Sequence, residues 1–229
     1  MLPFFDPTMI ILIPGIILGL WAQMLVKSRF HHYSSVMLRK GLSAAKVARM
    51  ILDAHDLQHV PVEHVAGHLS DHFDPTANAV RLSDSVYQSS SVAAAGIAAH
   101  EVGHAIQYAK GYGPIQLRNM LFPLVQIANF TWLPLFMIGI FMAAAGLMKL
   151  GIILFSILLA FQVFTLPVEF DASSRAIRLL PKLGITTQDE LDGVKKVLSA
   201  AALTYVAAAL TSLLQLLRLL MLANGRNRD

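Results

Sequence analysis

The chain has 229 residues, of which 55% are hydrophobic and only 14% charged, and its mean hydropathy is +0.59. Soluble domains carry about 25% charged residues, so this deficit, with the long uncharged runs described below, implies a multi-pass membrane protein. The net charge of +4 is not gathered into a basic stripe, which argues against nucleic-acid binding and leaves the positive charges as signals of membrane topology. Cysteine is absent, so disulfides and thiolate metal sites are excluded, and any metal must be held by histidines and carboxylates.

The first apolar run, 8–26, is uncharged and ends at Lys27 and Arg29. It has no basic segment before it and no small-residue cleavage site after it, so it reads as an uncleaved membrane span. A polar segment, 27–118, follows and carries the histidines. Within it, Val36, Leu42, Val47, Met50, Ile51 and Leu52 have helical spacing, predicting an amphipathic helix over 35–56. Stretches 60–64 and 79–82 are short and β-prone, separated by turn formers such as Asp74-Pro75, which predicts a small sheet or hairpin. Ser89 to Ser91 offer helix caps, and an alanine-rich helix is expected over 92–110, stopped by Gly111 and the Gly113-Pro114 pair.

Residues 119–168 hold one charge, Lys149. As helix this stretch is about 75 Å long at ~1.5 Å per residue, enough for two crossings of a ~30 Å hydrocarbon core. The expected hairpin lies at 146–151, giving spans near 119–147 and 150–168. A polar loop is expected over 169–196, then a fourth span over 197–217, followed by Arg218, Arg226 and Arg228.

The chemistry is concentrated in His100-Glu101-Val102-Gly103-His104, an H-E-x-x-H sequence inside the expected 92–110 helix. Residues four apart share one helical face, so both imidazoles can reach a single Zn²⁺. Glu101 lies about 100° around the helix, where it can meet a water activated by the ion and serve as general base in peptide hydrolysis. With nine histidines in the chain, chance occurrence of the pattern is below roughly 1%. The flanks, Ala93 to Ala99 and Ala105-Ile106, are apolar, and two imidazoles and a carboxylate on a buried helix would be costly without partners.

A catalytic zinc needs three protein ligands and one open position. Two spans separate His104 from Glu169, so the chain is back on the same side at Glu169, the first charged residue after nineteen without one. Glu169 is therefore the expected third ligand. Asp171 is its rival, or an acceptor for a histidine N–H. His72, in Ser70-Asp71-His72-Phe73-Asp74-Pro75, could bind substrate or an oxyanion, or merely stabilise a turn. Arg175, with Arg178 one turn on, could pair with Asp171, stabilise the transition state, or sit on a solvated helix edge. The remaining histidines, 31, 32, 55, 59, 64 and 68, show no ligand spacing.

Several stretches carry a family resemblance. Gly67-His68-Leu69-Ser70-Asp71-His72-Phe73-Asp74-Pro75, Arg81-Leu82-Ser83 with Val86-Tyr87, Ala98-Ala99-His100-Glu101-Val102-Gly103-His104-Ala105-Ile106-Gln107, and Leu166-Pro167-Val168-Glu169-Phe170-Asp171-Ala172-Ser173 resemble the YugP-type neutral zinc metallopeptidases of bacteria. The resemblance spans nearly the whole chain and is strongest over 42–112 and 162–180. It implies a bacterial membrane metalloprotease related to HtpX and the CAAX prenyl proteases, with one zinc per chain. The fold expected is mainly α and integral to the membrane, with about four spans and a small α+β zincin-like domain at the membrane surface. In that broader group the third ligand is a Glu on a helix after the intervening spans, which maps onto Glu169. An Asp usually stands four residues later; here Ser173 stands there, and Asp171 is the nearest acid.

Residues 1–229 are thus expected to form one membrane-embedded protease domain, a gluzincin endopeptidase acting on proteins or peptides. Fourteen of the eighteen Lys and Arg lie in 27–118 and 169–196, which favours a cytoplasmic active-site side of a bacterial inner membrane. Segment 79–82 could be an edge strand that binds extended substrate. Two other readings are an intramembrane protease of the site-2 type, with H-E-x-x-H inside a span, and a non-catalytic zinc-stabilised scaffold. The first would put two His, Glu101, Gln107 and Tyr108 into the bilayer, and the second leaves Glu101 without a purpose.

Overall fold

The structure, a computed structural model, describes residues 7–226; Arg228 lies outside them. A 3₁₀ turn, Pro7–Leu12, leads into α1 (Ile13–Ser34). After it come α2 (Ala44–Asp53), β1 (Val62–Val65), β2 (His72–Asp74), β3 (Ala79–Ser83), α3 (Val92–Ala109), α4 (Gly113–Phe141), α5 (Ala145–Lys182) and α6 (Gln188–Arg226). The chain is a mainly α membrane protein with a small α+β part. It divides into two compact units, 1–23 with 117–166 and 203–229, and 24–116 with 167–202.

The first unit holds the apolar lengths of the four helices that are long and apolar enough to cross a membrane, those carrying the 3₁₀ turn with α1, α4, α5 and α6. Its packed centre is Ala128, Phe136, Met148, Phe155, Leu158, Leu219 and Ala223. Large apolar side chains such as Ile17, Met120, Phe130 and Phe141 point outward, the pattern of a surface whose solvent is lipid. The α4–α5 turn occupies 142–144, with Ala143 at φ 52°, just before the expected 146–151 hairpin. Gly146 and Gly151 are helical instead. Gly151 is used for packing, since a Cβ there would come within 2.9 Å of the Trp132 carbonyl oxygen. Lys149 sits in the early turns of α5, not in a loop.

The second unit packs α2, α3 and the sheet around one core that includes Val47, Ile51, Leu52, Val80, Leu82, Ala95, Ala99, Val102, Ala176 and Leu180. Ser43 caps α2 and Ser91 caps α3, their hydroxyls accepting the N–H of Lys46 and Ala94. α2 begins at Ala44, nine residues later than expected. Before it the chain is tied to the start of α3 by the Leu38 N–H to the Ser90 carbonyl, and Gly41 takes φ +60°. Two strands overlap the β-prone stretches 60–64 and 79–82, and β2 is additional. The sheet order is β1-β3-β2, with β1 parallel and β2 antiparallel to β3. β3 is therefore central, and its expected role as a free edge is corrected: the edges are β1 and β2.

The largest departure concerns 169–196. No loop begins at Glu169, because α5 runs on to Lys182 and α6 starts at Gln188. The polar residues mark where the apolar surface stops, while the helix persists because Val168, Ala172, Ala176 and Leu180 continue a buried i, i+4 stripe. Asp189 and Glu190 occupy the first turn of α6, and Glu190 accepts the N–H groups of Thr187 and Arg39 at 2.6 and 2.7 Å, which favours a helix start there.

Candidate metal centre

The second unit holds every residue of the candidate site. α3 is buried along nearly its whole length, so its polar side chains must find partners within the fold. His100 and His104 point to one side, with their Nε2 atoms 3.2 Å apart. Glu169, 3% exposed, brings Oε2 to 3.3 Å from His100 Nε2 and 3.6 Å from His104 Nε2. One ligand atom from each of the three lies within 4.8 Å of the others. Tetrahedral zinc with bonds near 2.0–2.2 Å sets ligand atoms roughly 3.3 Å apart, so the N, N, O set fits that ion. The surroundings favour positive charge. Burial works against protonated His104, yet its hydrogen bond to Glu169 and the charges of Glu101 and Glu169 hold its pKa above the ordinary value.

Each histidine is oriented from behind. His104 Nδ1–H donates to Gln107 Oε1 at 3.0 Å, and His100 Nδ1 lies 3.1 Å from Ser173 Oγ, a hydroxyl able to accept its proton. With the protons on Nδ1, both Nε2 lone pairs turn toward the space beside Glu169. Gln107 is fully buried and donates through Nε2 to the Val168 carbonyl and to Asp171 Oδ2, each at 2.8 Å. Asp171 is thus a support reached through Gln107, and it does not join the three converging ligand atoms. Its Oδ2 also accepts from Arg175 Nε at 2.5 Å, and the Arg175 guanidinium lies 5.9 Å from the Tyr112 ring centroid. Ser173, which stands where the resemblance leads one to expect Asp, takes the back of His100.

Glu101 stands apart from the three candidate ligands. It is 9% exposed, and its Oε2 accepts the backbone N–H of Phe73 on β2 at 3.0 Å. Asp71 anchors the start of β2, its carboxylate accepting the N–H and the Oγ–H of Ser83 at 2.8 and 3.0 Å. Burial pushes the Asp71 carboxyl above its usual range, and the Glu101 charge adds to the rise, against the two Ser83 bonds. At the other end of β2, Asp74 is clamped by Arg81 Nη1 at 2.6 Å. His72 is exposed and its contact is local, Nδ1–H to the Ser70 carbonyl at 2.8 Å.

Gly103 explains why α3 can bring His100 and His104 close to α5. A Cβ at this position would lie 2.7 Å from the Ala172 carbonyl oxygen and 3.1 Å from its Cα, so only glycine permits this approach. Gln107, Ser173, Gly103 and the Phe73 N–H were not singled out by sequence as parts of the site. For Gln107 a signal existed: it lies three residues past His104 and seven past His100, on the ligand face of the same helix.

A family profile described as "Putative neutral zinc metallopeptidase" matches residues 8–224. The chain is 50% identical over 213 residues, 93% of its length and 95% of the relative's, to a protein of Bacillus subtilis (strain 168) named "Putative membrane protease YugP". No solved structure matches the chain significantly. Zinc is the cofactor of this family, and the His100, His104 and Glu169 cluster offers a place for it. With that match over nearly its full length and a relative half identical in sequence, the chain belongs to the family of neutral zinc metallopeptidases and is a membrane zinc protease.

Proposed function

We propose that this protein is a membrane endopeptidase of the gluzincin type, in which His100, His104 and Glu169 hold one zinc ion and Glu101 is the general base. The observation that carries the reading is the convergence of three ligand atoms from α3 and α5, with Glu101 on the same helix but outside the set. Zinc bound there would polarise the scissile carbonyl and acidify a water. Glu101 takes the proton of that water as its oxygen attacks the carbonyl carbon, then hands the proton to the amine nitrogen that leaves. Gln107 and Ser173 hold the two imidazoles in the tautomer that leaves Nε2 free, and Asp171, steadied by Arg175, holds Gln107. His72 and Arg175 are not assigned to the bond-breaking step.

The substrate is a protein or peptide, presented in extended form to β2, the edge strand next to Glu101. The whole chain, 1–229, acts as one protease domain with spans near 8–26, 119–147, 150–168 and 197–217, in a bacterial inner membrane with the catalytic segments on the cytoplasmic side. α3 is not among the helices long and apolar enough to cross a membrane, which supports this reading over one with the H-E-x-x-H sequence inside a span. Glu101, buried beside the cluster, is superfluous to a scaffold. The test is cleavage of unfolded casein by the detergent-purified protein. Wild type is expected to cleave it, and Glu101→Gln and chelator-treated samples to be at least about 10³-fold slower. Equal cleavage by Glu101→Gln would refute the assignment of the base.

A further inference from the structure

The sheet register determines which backbone groups of β2 face outward. Val80, on the central strand, donates its N–H to the Pro61 carbonyl on the β1 side at 3.0 Å. Backbone groups of successive residues in a strand point to alternate sides, so Ala79 and Arg81 face β2. Their partners Asp74 and His72 face back toward β3. Phe73, opposite Val80, therefore turns both its N–H and its C=O away from β3, to the side where β2 has no strand neighbour. The next residue but one is Pro75, which has no N–H, and the strand is three residues long. In the described strand, Phe73 thus supplies the one outward donor–acceptor pair at which an extended chain could dock, and its N–H is already taken by Glu101 Oε2 at 3.0 Å.

An N–H carries one hydrogen and serves one strong acceptor, and a carboxylate is a stronger acceptor than a peptide carbonyl. We propose that Glu101 and the substrate backbone compete for the Phe73 N–H, so that an extended peptide pairing with β2 displaces the Glu101 carboxylate and releases it from its resting contact. This deepens the endopeptidase reading and rests on it. The consequence is selectivity for unfolded segments: a helix, whose carbonyls are bonded within it, cannot offer one in strand register at Phe73, and leaves Glu101 tethered. The Asp71–Ser83 and Asp74–Arg81 clamps keep β2 fixed, so the carboxylate is the partner that moves.

The test is a double-mutant cycle on zinc-loaded protein. The probe is a fluorescein-labelled casein peptide that wild type cleaves, with its scissile amide replaced by a reduced, uncleavable bond, and binding is read by anisotropy. Phe73→Ala keeps the N–H and Phe73→Pro removes it at an outward position, where no ladder bond is lost. In the Phe73→Ala background, Glu101→Ala is expected to tighten Kd about tenfold. In the Phe73→Pro background the same change should move Kd by no more than about twofold. An equal effect in both backgrounds, or weaker binding on losing Glu101, overturns the proposal. Should Phe73→Pro fail to fold, as judged by zinc content, a backbone ester at position 73 removes only the N–H and carries the same comparison. Failure of the endopeptidase reading shows separately, as no zinc-dependent cleavage of the unmodified peptide by wild type, and failure of the base assignment as cleavage that survives Glu101→Gln.

Discussion

Gln107 joins three groups, His104 Nδ1, the Val168 carbonyl and Asp171 Oδ2, of which Asp171 Oδ2 also has Arg175 as a partner. Truncation leaves buried His104 Nδ1 without its Gln107 partner, and an orphaned buried polar group costs about 1–3 kcal/mol. Groups that orient metal-bound imidazoles typically change metal affinity by about 10–100-fold. Gln107→Ala is therefore expected to lower zinc affinity by that factor and to reduce stability; competition against a chelator, with thermal unfolding alongside, measures both. Unchanged affinity would mean that His104 is oriented by something else. At this scale His100, Glu101 and His104 were legible because one helix fixes their spacing. The count of membrane crossings put Glu169 and Asp171 on the side of the histidines, and of the two it is Glu169 that lies with His100 and His104. Ser173 was not legible as a support, since His100 lies 73 residues away in sequence; Gln107 showed only its place three residues past His104, its contacts to α5 lying 61 and 64 residues away.

The packing of α3 on α5 depends on Gly103, whose missing side chain is the space occupied by the Ala172 backbone. Backbone cannot swing aside as a side chain does, so Gly103→Ala must push α5 away from α3. Overpacking of this kind costs about 1–3 kcal/mol, and here it also displaces Glu169, three residues before Ala172. Gly103→Ala is expected to fold less stably and to lose most of its zinc. Gly225→Ala, where a Cβ meets open space, should leave both unchanged. The apolar lengths of α1, α4, α5 and α6 were plain from hydropathy, and α3 from its alanines and serine cap. The continuation of α5 past Val168 was hidden because the surface turns polar there while the buried stripe Val168, Ala172, Ala176, Leu180 is too sparse to stand out. β2 was hidden for a different reason: three residues, His72–Asp74, are too few to show alternation, and its order comes from the Asp71 and Asp74 clamps.

For the molecule as a whole, the charge distribution sets the expected orientation. Fourteen of eighteen Lys and Arg lie in the two polar segments, and positive segments are retained in the cytoplasm. The absence of native cysteine allows a direct check. A single Gln58→Cys variant, at an exposed position between α2 and β1, should react with a membrane-impermeant maleimide only after the cells are opened. Labelling of intact cells would place the catalytic segments outside.

The central claim is that three side chains hold the ion and a fourth moves the proton, and metal content of purified variants separates those roles most directly. Wild type is expected to carry about one zinc per chain. His104→Ala and Glu169→Ala should lose it, while Glu101→Gln should keep it and lose casein cleavage. If Glu169→Ala retained full zinc and full activity, the convergence of His100, His104 and Glu169 would not be the metal site, and the account would be contradicted.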